Sequence, residues 1–205
     1  VEGTTDGHGE AARFHNPATL AEGPDGLLYV ADLGKSLIRR VDREGNVTTF
    51  GGRPWMQGEV QQSIDGDIAD ARFWAPGSIT VASDGTIYVG EQQGRCVREI
   101  HEGVVSTRCE CEDPVLGLLL DEPSGLLYVS THTRILTVVV PTREERLQKK
   151  YAPVVKIWAL AQQERVEMIP AASEESVEEK RAREAVRRLM RCPIVDILQR
   201  ALSLI

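Results

Sequence analysis

Asp65-Gly-Asp-Ile-Ala-Asp-Ala-Arg-Phe73, followed by Pro76 and by Asp84-Gly-Thr-Ile-Tyr-Val89, decides the fold, because the chain writes it twice. Asp6-Gly7, Ala12-Arg13-Phe14, Pro17, Asp25-Gly26, Tyr29-Val30 and Ile38-Arg39 come first. They return 59 residues later as Asp65-Gly66, Ala71-Arg72-Phe73, Pro76, Asp84-Gly85, Tyr88-Val89 and Val97-Arg98. So many matches at one offset mark a structural repeat. A weaker third copy, Gly117-Leu118 through Ser124-Gly-Leu-Leu-Tyr-Val129, sets Tyr128 40 residues beyond Tyr88. The period is therefore about 40 residues, with an insertion around Arg53 to Ile64 in the first gap.

Each copy reads as short strands. Leu27 to Val30 is an apolar run entered through Pro24-Asp25-Gly26, a turn in which glycine supplies a positive φ. Leu37 to Val41 then turns at Arg43-Glu44-Gly45-Asn46 into Val47 to Phe50. The second copy repeats this with Thr86 to Val89, Val97 to Ile100 and a turn at Glu102-Gly103. Runs apolar on both faces suit small sheets packed between neighbouring sheets, as in a radial β-propeller.

On these motifs, and on Tyr29-Val-Ala-Asp-Leu-Gly34, Ile38-Arg-Arg-Val-Asp42 and Val47-Thr-Thr-Phe-Gly-Gly52, the chain resembles the NHL-repeat β-propeller family over residues 3 to 138. The third copy departs from the pattern: Thr131 stands where the first has Asp32, and the Ile-Arg pair is lost. The resemblance implies a ring of four-stranded blades, commonly about six, used mostly as a protein-binding scaffold; some relatives bind RNA and some are enzymes. The expected fold class is all-β, a partial propeller with a C-terminal helical extension. Residues 1–170 form the arc (blades near 3–52, 62–110 and 111–170) and residues 171–205 a helical arm.

About three blades fall short of the four to eight that propellers use. An incomplete ring is expected to leave unpaired N–H and C=O rows on its first and last sheets. Three arrangements are open: residues 139–170 form a degenerate fourth blade, another subunit covers the flank, or the arc belongs to a longer chain. The favoured expectation is a truncated propeller covered by neighbouring proteins.

The charge pattern sets this arc apart from the tail. The 205 residues carry a net charge of −7. Residues 1–140 hold 21 acidic and 11 basic side chains, and residues 141–205 hold 10 and 13. An acidic body repels phosphate backbones, so no nucleic-acid partner is expected. The longest apolar run, Val115 to Leu120, is far short of a membrane span, so none is expected. The first residue is Val1, which reads as a processed or truncated N-terminus and leaves an imported or secreted chain open. In the tail, Ser176 and Glu179 fit a capping box. Glu179–Arg183 and Glu184–Arg188 have the favourable i,i+4 orientation. Pro193 breaks the helix. Beyond it, Ile194, Ile197, Leu198, Ala201, Leu202 and Ile205 form one apolar stripe that packs on the chain's own blades or docks on a partner.

Few residues suggest chemistry. Asp65, Asp67 and Asp70 crowd one loop, but without the glutamate a calcium loop ends on, and they read as an inter-blade connection. The histidines are His8, His15, His101 and His132, and none repeats. Amidating lyases of similar propeller fold place zinc-binding histidines around the axis, and this keeps His8, His15 and His132 as candidates for an alternative, a degenerate metal-dependent lyase or lactonase-like hydrolase. Cys109-Glu-Cys111 lacks the Cys-X-X-Cys spacing of zinc ribbons. With Glu102-Gly103 at the turn, His101 faces Val104 and Cys96 is expected opposite Cys109. Cys192 reads as a small buried apolar residue. Trp55 and Met56, on the insertion, either pack over a blade rim or anchor a partner. The expected function is a non-catalytic protein–protein interaction scaffold, an accessory subunit without cofactor. Its partners are other protein subunits covering the open blade edges and the C-terminal helix.

Overall fold

The turn glycines close hairpins where the sequence places them. At Glu102-Gly103 both residues take positive φ (50° and 78°), the twist that lets two strands continue without splaying. His101 then pairs with Val104. The computed structural model describes residues 2–56, 58–146 and 148. The expected arm at 171–205, its break at Pro193, its stripe Ile194, Ile197, Leu198, Ala201, Leu202 and Ile205, Cys192, and residues 151–170 lie outside the described residues.

Among the described residues, three antiparallel sheets follow one another. In blade 1, β2 (Pro17–Glu22), β3 (Leu28–Asp32), β4 (Leu37–Val41) and β5 (Asn46–Gly51) form a meander, and β1 (Gly7–His8) pairs with the outer strand β5. Blade 2 repeats this: β6 (Gly66–Asp67) pairs with β10 (Val104–Glu110), which continues through β9 (Cys96–His101) and β8 (Ile87–Glu91) to β7 (Pro76–Val81). Among the described residues blade 3 has three strands, β11 (Val115–Asp121), β12 (Leu126–Thr131) and β13 (Ile135–Val139). Residues 143–146 then turn helical. The protein is thus mostly β, as its alternating turns and apolar runs required.

Blades stack face to face. Tyr29, Ala31 and Ile38 of blade 1 pack on Ile79, Ile87, Val89 and Ile100 of blade 2, with Phe73 of the connecting segment among them. On its other face, blade 2 sets Tyr88 and Val97 against Val115, Leu127 and Val129 of blade 3. Alternation along each strand makes this possible, since successive side chains point to opposite faces.

This geometry corrects the expectation of unpaired hydrogen-bonding rows along the first and last flanks. The flanks of a propeller arc are sheet faces, and the outer edges of blades 1 and 2 are already closed by β1 and β6. In blade 3 the last strand, β13, has no strand on its outer side among the described residues, and β2, β7 and β11 are the edge strands at the opposite side of the three sheets.

The cysteine register is also corrected. A bulge at Arg108 places Cys109 opposite Val97 and Glu110 opposite Cys96. One extra residue moves a side chain to the other face of the sheet. Cys109 accordingly packs with the cluster between blades 2 and 3. Cys96 points the other way, with Sγ 3.6 Å from Glu91 Oε2. Both are free thiols.

Candidate functional site

The repeated Asp-Gly…Ala-Arg-Phe segment is the connection between blades, and its repeat encodes a buried clamp. Arg98 is fully buried. Its Nη1 donates to Glu91 Oε1 at 2.8 Å and to the Arg72 carbonyl at 3.0 Å, and its Nη2 donates to Asp65 Oδ1 at 2.6 Å. Thr107 adds N–H and hydroxyl donors to the same aspartate. Blade 1 holds Arg39 alike, with Asp32 at 3.4 Å, the Arg13 carbonyl at 2.8 Å and Asp6 at 2.7 Å. Burial would raise the Asp65 carboxyl, but hydrogen bonds from Thr107 and Arg98 outweigh it and hold the pKa below the ordinary range. Glu91 goes the other way: burial pushes its pKa up although Arg98 opposes this. The Asp65 carboxylate is therefore occupied in holding the connector. Asp67 sits in β6, paired with Val104. Blade 3 has dispensed with the clamp, since Thr131 stands at the place of Glu91 and Leu136, opposite Val129, at that of Arg98.

The insertion is folded back on the rim. Trp55 donates its indole N–H to the Phe73 carbonyl at 3.1 Å, and the Arg72 guanidinium lies 4.6 Å above the ring. Glu59 grips Arg72 with both oxygens, at 2.5 and 3.0 Å, and also accepts the Met56 N–H at 2.9 Å. The Arg72 hydrogen bonds hold the Glu59 pKa down at about 2. Trp55 is half-buried in this packing, whereas Met56 is exposed on the same pinned loop.

Histidines do not converge on a centre. His8 and His132 are exposed, and His15 lies 3.2 Å from Glu2 through Nε2. His101 Nδ1 shares a hydrogen bond with the Thr86 hydroxyl at 2.9 Å. Among the described residues, no group of three His, Cys, Asp or Glu side chains is placed to hold a metal ion, and no helix is long and apolar enough to cross a membrane. A shallow cavity of about 430 Å³ opens between two turns of blade 1, lined by Glu22, Asp25, Asp42, Arg43 and Glu44.

The larger feature is apolar. The face of blade 3 turned away from blade 2 presents Leu119, Tyr128, Ile135 and Val139, with Leu119 opposite Tyr128 across the ladder. Ile135 pairs with Ser130, as Val97 pairs with Gly90 and Ile38 with Ala31. The three are the same repeat position. Ile38 and Val97 are 0% exposed under the next blade, and Ile135 is 72% exposed. At the opposite flank, Leu20 of β2 is 62% exposed, while Ile79, its counterpart 59 residues on, is 6% exposed against blade 1. Sequence reading missed this site, because apolar strand positions look alike whether or not another blade covers them.

Stacked blades of this kind define an arc of a β-propeller. Comparison with solved structures agrees on the fold. The chain is similar to an auxiliary nutrient binding protein from Bacteroides ovatus at 19% identity and a TM-score of 0.50, over 64% of this chain and 38% of that one. It is also similar to a gluconolactonase from Xanthomonas campestris at 17% identity and a TM-score of 0.46, over 63% and 39%. Virginiamycin B lyase from Staphylococcus aureus matches at 12% identity and a TM-score of 0.39, over 68% and 46%. No protein-family model matches the chain, and no curated protein does. The chain spans between 26% and 46% of the length of the solved structures it matches.

Proposed function

We propose that the chain is a non-catalytic interaction module of NHL type, an arc of propeller blades whose free faces are covered by another protein. One observation carries this reading. The repeat position filled by Ile38 and Val97 is fully buried twice and 72% exposed at Ile135. A surface built to the pattern of an inter-blade face, with Thr137 set between Ile135 and Val139, is the kind of apolar patch that marks an association site. Covering Ile135, Val139 and Leu119 would stabilise an assembly by about 1–2 kcal/mol each before the cost of ordering the partner. The pinned loop offers Met56 as a further contact.

Native mass spectrometry tests this. The chain is expected in a particle heavier than its own 22.6 kDa. Ile135→Asp, at an exposed position, is expected to leave it folded but released as a single chain. A wild-type chain that stays single, with its blade 3 face shielded from a thiol reagent at Ile135→Cys, would overturn the proposal. So would stoichiometric zinc or calcium lost on substituting His8, His15 or His132, the outcome that a lyase or lactonase-like enzyme predicts.

A further inference from the structure

We infer that Cys109 and Cys111 form a redox site, a dithiol that a small-molecule disulfide oxidises reversibly to a bridge at the end of blade 2. This goes beyond the interaction reading above and does not depend on it.

The register puts both sulfurs on one side of the sheet. After the bulge at Arg108, Cys109 lies opposite Val97 and Glu110 opposite Cys96, and the Cys111 N–H extends the ladder to the Arg95 carbonyl at 2.7 Å. Residues two apart in a strand share a face. Glu110 therefore points away, exposed, while both cysteines pack on the cluster of Tyr88, Val97, Val115 and Leu127. Neither is sealed there. Both are half-buried free thiols, whereas Cys96 on the opposite face is 3% exposed.

The repeat does not call for this pair. Gly51 pairs with Ile38 in blade 1 as Cys109 pairs with Val97 in blade 2, and Arg53 stands two residues on. A Cβ on Gly51 would come within 2.3 Å of the Ile68 side chain, so any side chain there needs Ile68 to move. Blade 2 thus departs from a close repeat by setting two sulfurs side by side.

The surroundings assign the order of events. Burial, the Cys109 thiol beside it and the Asp113 carboxylate push the Cys111 pKa up to about 11, so Cys111 keeps its proton at neutral pH. The thiolate is the attacking form, which leaves the first attack to Cys109. The Cys109 thiolate displaces one small thiol from the incoming disulfide and forms a mixed disulfide. Cys111 then releases its proton to water, attacks the Cys109 sulfur and expels the second small thiol. Two protein thiols are oxidised, and one small disulfide is reduced to two thiols. Two extended residues set their Cα atoms about 6.6 Å apart. That is close to the upper limit of about 6.8 Å for a bridge, and a bridge closed under strain is easily reduced. The site therefore cycles rather than locks.

The tryptic peptide 109–134 carries both sulfurs and no other cysteine, so its mass reports the site on the full native chain. After oxidised glutathione, then iodoacetamide to trap remaining thiols, the peptide is expected to be lighter by two hydrogens and to carry no label. Reduced glutathione is expected to restore both labels. Cys111→Ser is expected to stop at the mixed disulfide and to hold at least about ten-fold more glutathione on Cys109 than wild type. A wild-type peptide that keeps two free thiols, retains a lasting glutathione, or is linked to Cys96 or Cys192 overturns the site. So does a bridge that reduced glutathione fails to open, or a Cys111→Ser chain that takes up no glutathione. Should Cys111→Ser not fold, the wild-type peptide decides alone.

Discussion

Replacing Arg98 by leucine is the sharpest probe of how the repeat holds its blades. The guanidinium is fully buried and satisfies Glu91, itself 0% exposed, together with the Arg72 carbonyl and Asp65. Removing one partner of a buried ion pair strands the other charge, at a cost of about 3–5 kcal/mol. That is a large share of the roughly 5–15 kcal/mol by which a domain is stable. Asp65, about half exposed, rehydrates and adds little. Blade 3 supplies the control, because it carries Leu136 and Thr131 at the same two places. Arg98→Leu/Glu91→Thr removes the stranded carboxylate and should cost only about 1–2 kcal/mol, chiefly for the hydrogen bond lost at the Arg72 carbonyl. The assay is urea denaturation of wild type, both single variants and the double variant, completing a mutant cycle. The pH dependence has a fixed sign. Burial already holds the Glu91 pKa above the ordinary range, and loss of Arg98 raises it further. An acid raised in the folded state destabilises it most above that raised pKa and less as pH falls through it. The deficit of Arg98→Leu should therefore narrow as pH falls toward the ordinary carboxylate range. A single variant costing under about 1 kcal/mol, or a double variant costing the sum of both singles, would refute the reasoning.

Glu59, held at about 2 by Arg72, contributes to pinning the insertion above its ordinary value of 4.5 and loses that contribution as pH falls toward 2. In a chain keeping Trp55 with Trp74→Phe and Trp158→Phe, indole emission should shift in that window before global unfolding, and Glu59→Gln should abolish the step. Emission that follows only global unfolding would count against the pinned loop. Among the thiols, Cys96 is buried and its pKa is pushed up to about 12 by desolvation beside Glu91. A maleimide should modify the half-buried Cys109 and Cys111 first and reach Cys96 only on unfolding, and mild oxidation should yield no Cys96–Cys109 bridge in peptide maps.

Much of the architecture was legible because a repeat is a statement about packing. Matching Asp-Gly, Ala-Arg-Phe and Tyr-Val elements at one offset meant that the same faces are buried in the same way, and strands β3, β4, β8 and β9 follow. The backbone repeats where the side chains do not. Asn16 and Ala75, 59 residues apart, both take positive φ (61° and 55°), as do Ser36 and Arg95 (58° and 49°). No composition signal marks such residues, because glycine is the usual occupant of that region. The bulges were hidden for a related reason. Blade 1 has one at Phe50 and blade 2 at Arg108, each following the threonine that grips the clamp aspartate. The blade 2 turn is one residue shorter, so Thr49 and Thr107 fall out of register in sequence while coinciding in space.

Sequence alone therefore determined the unit: four short strands per full copy, an Asp-Gly connector between copies, and a third copy in which leucine and threonine replace the ion pair. Only the tertiary structure decided what each apolar residue meets. Ile38, Val97 and Ile135 are equivalent in pattern, and local propensity treats them alike. Whether such a side chain is covered depends on the presence of a neighbouring sheet, a property of the assembly of blades that no short stretch of sequence encodes.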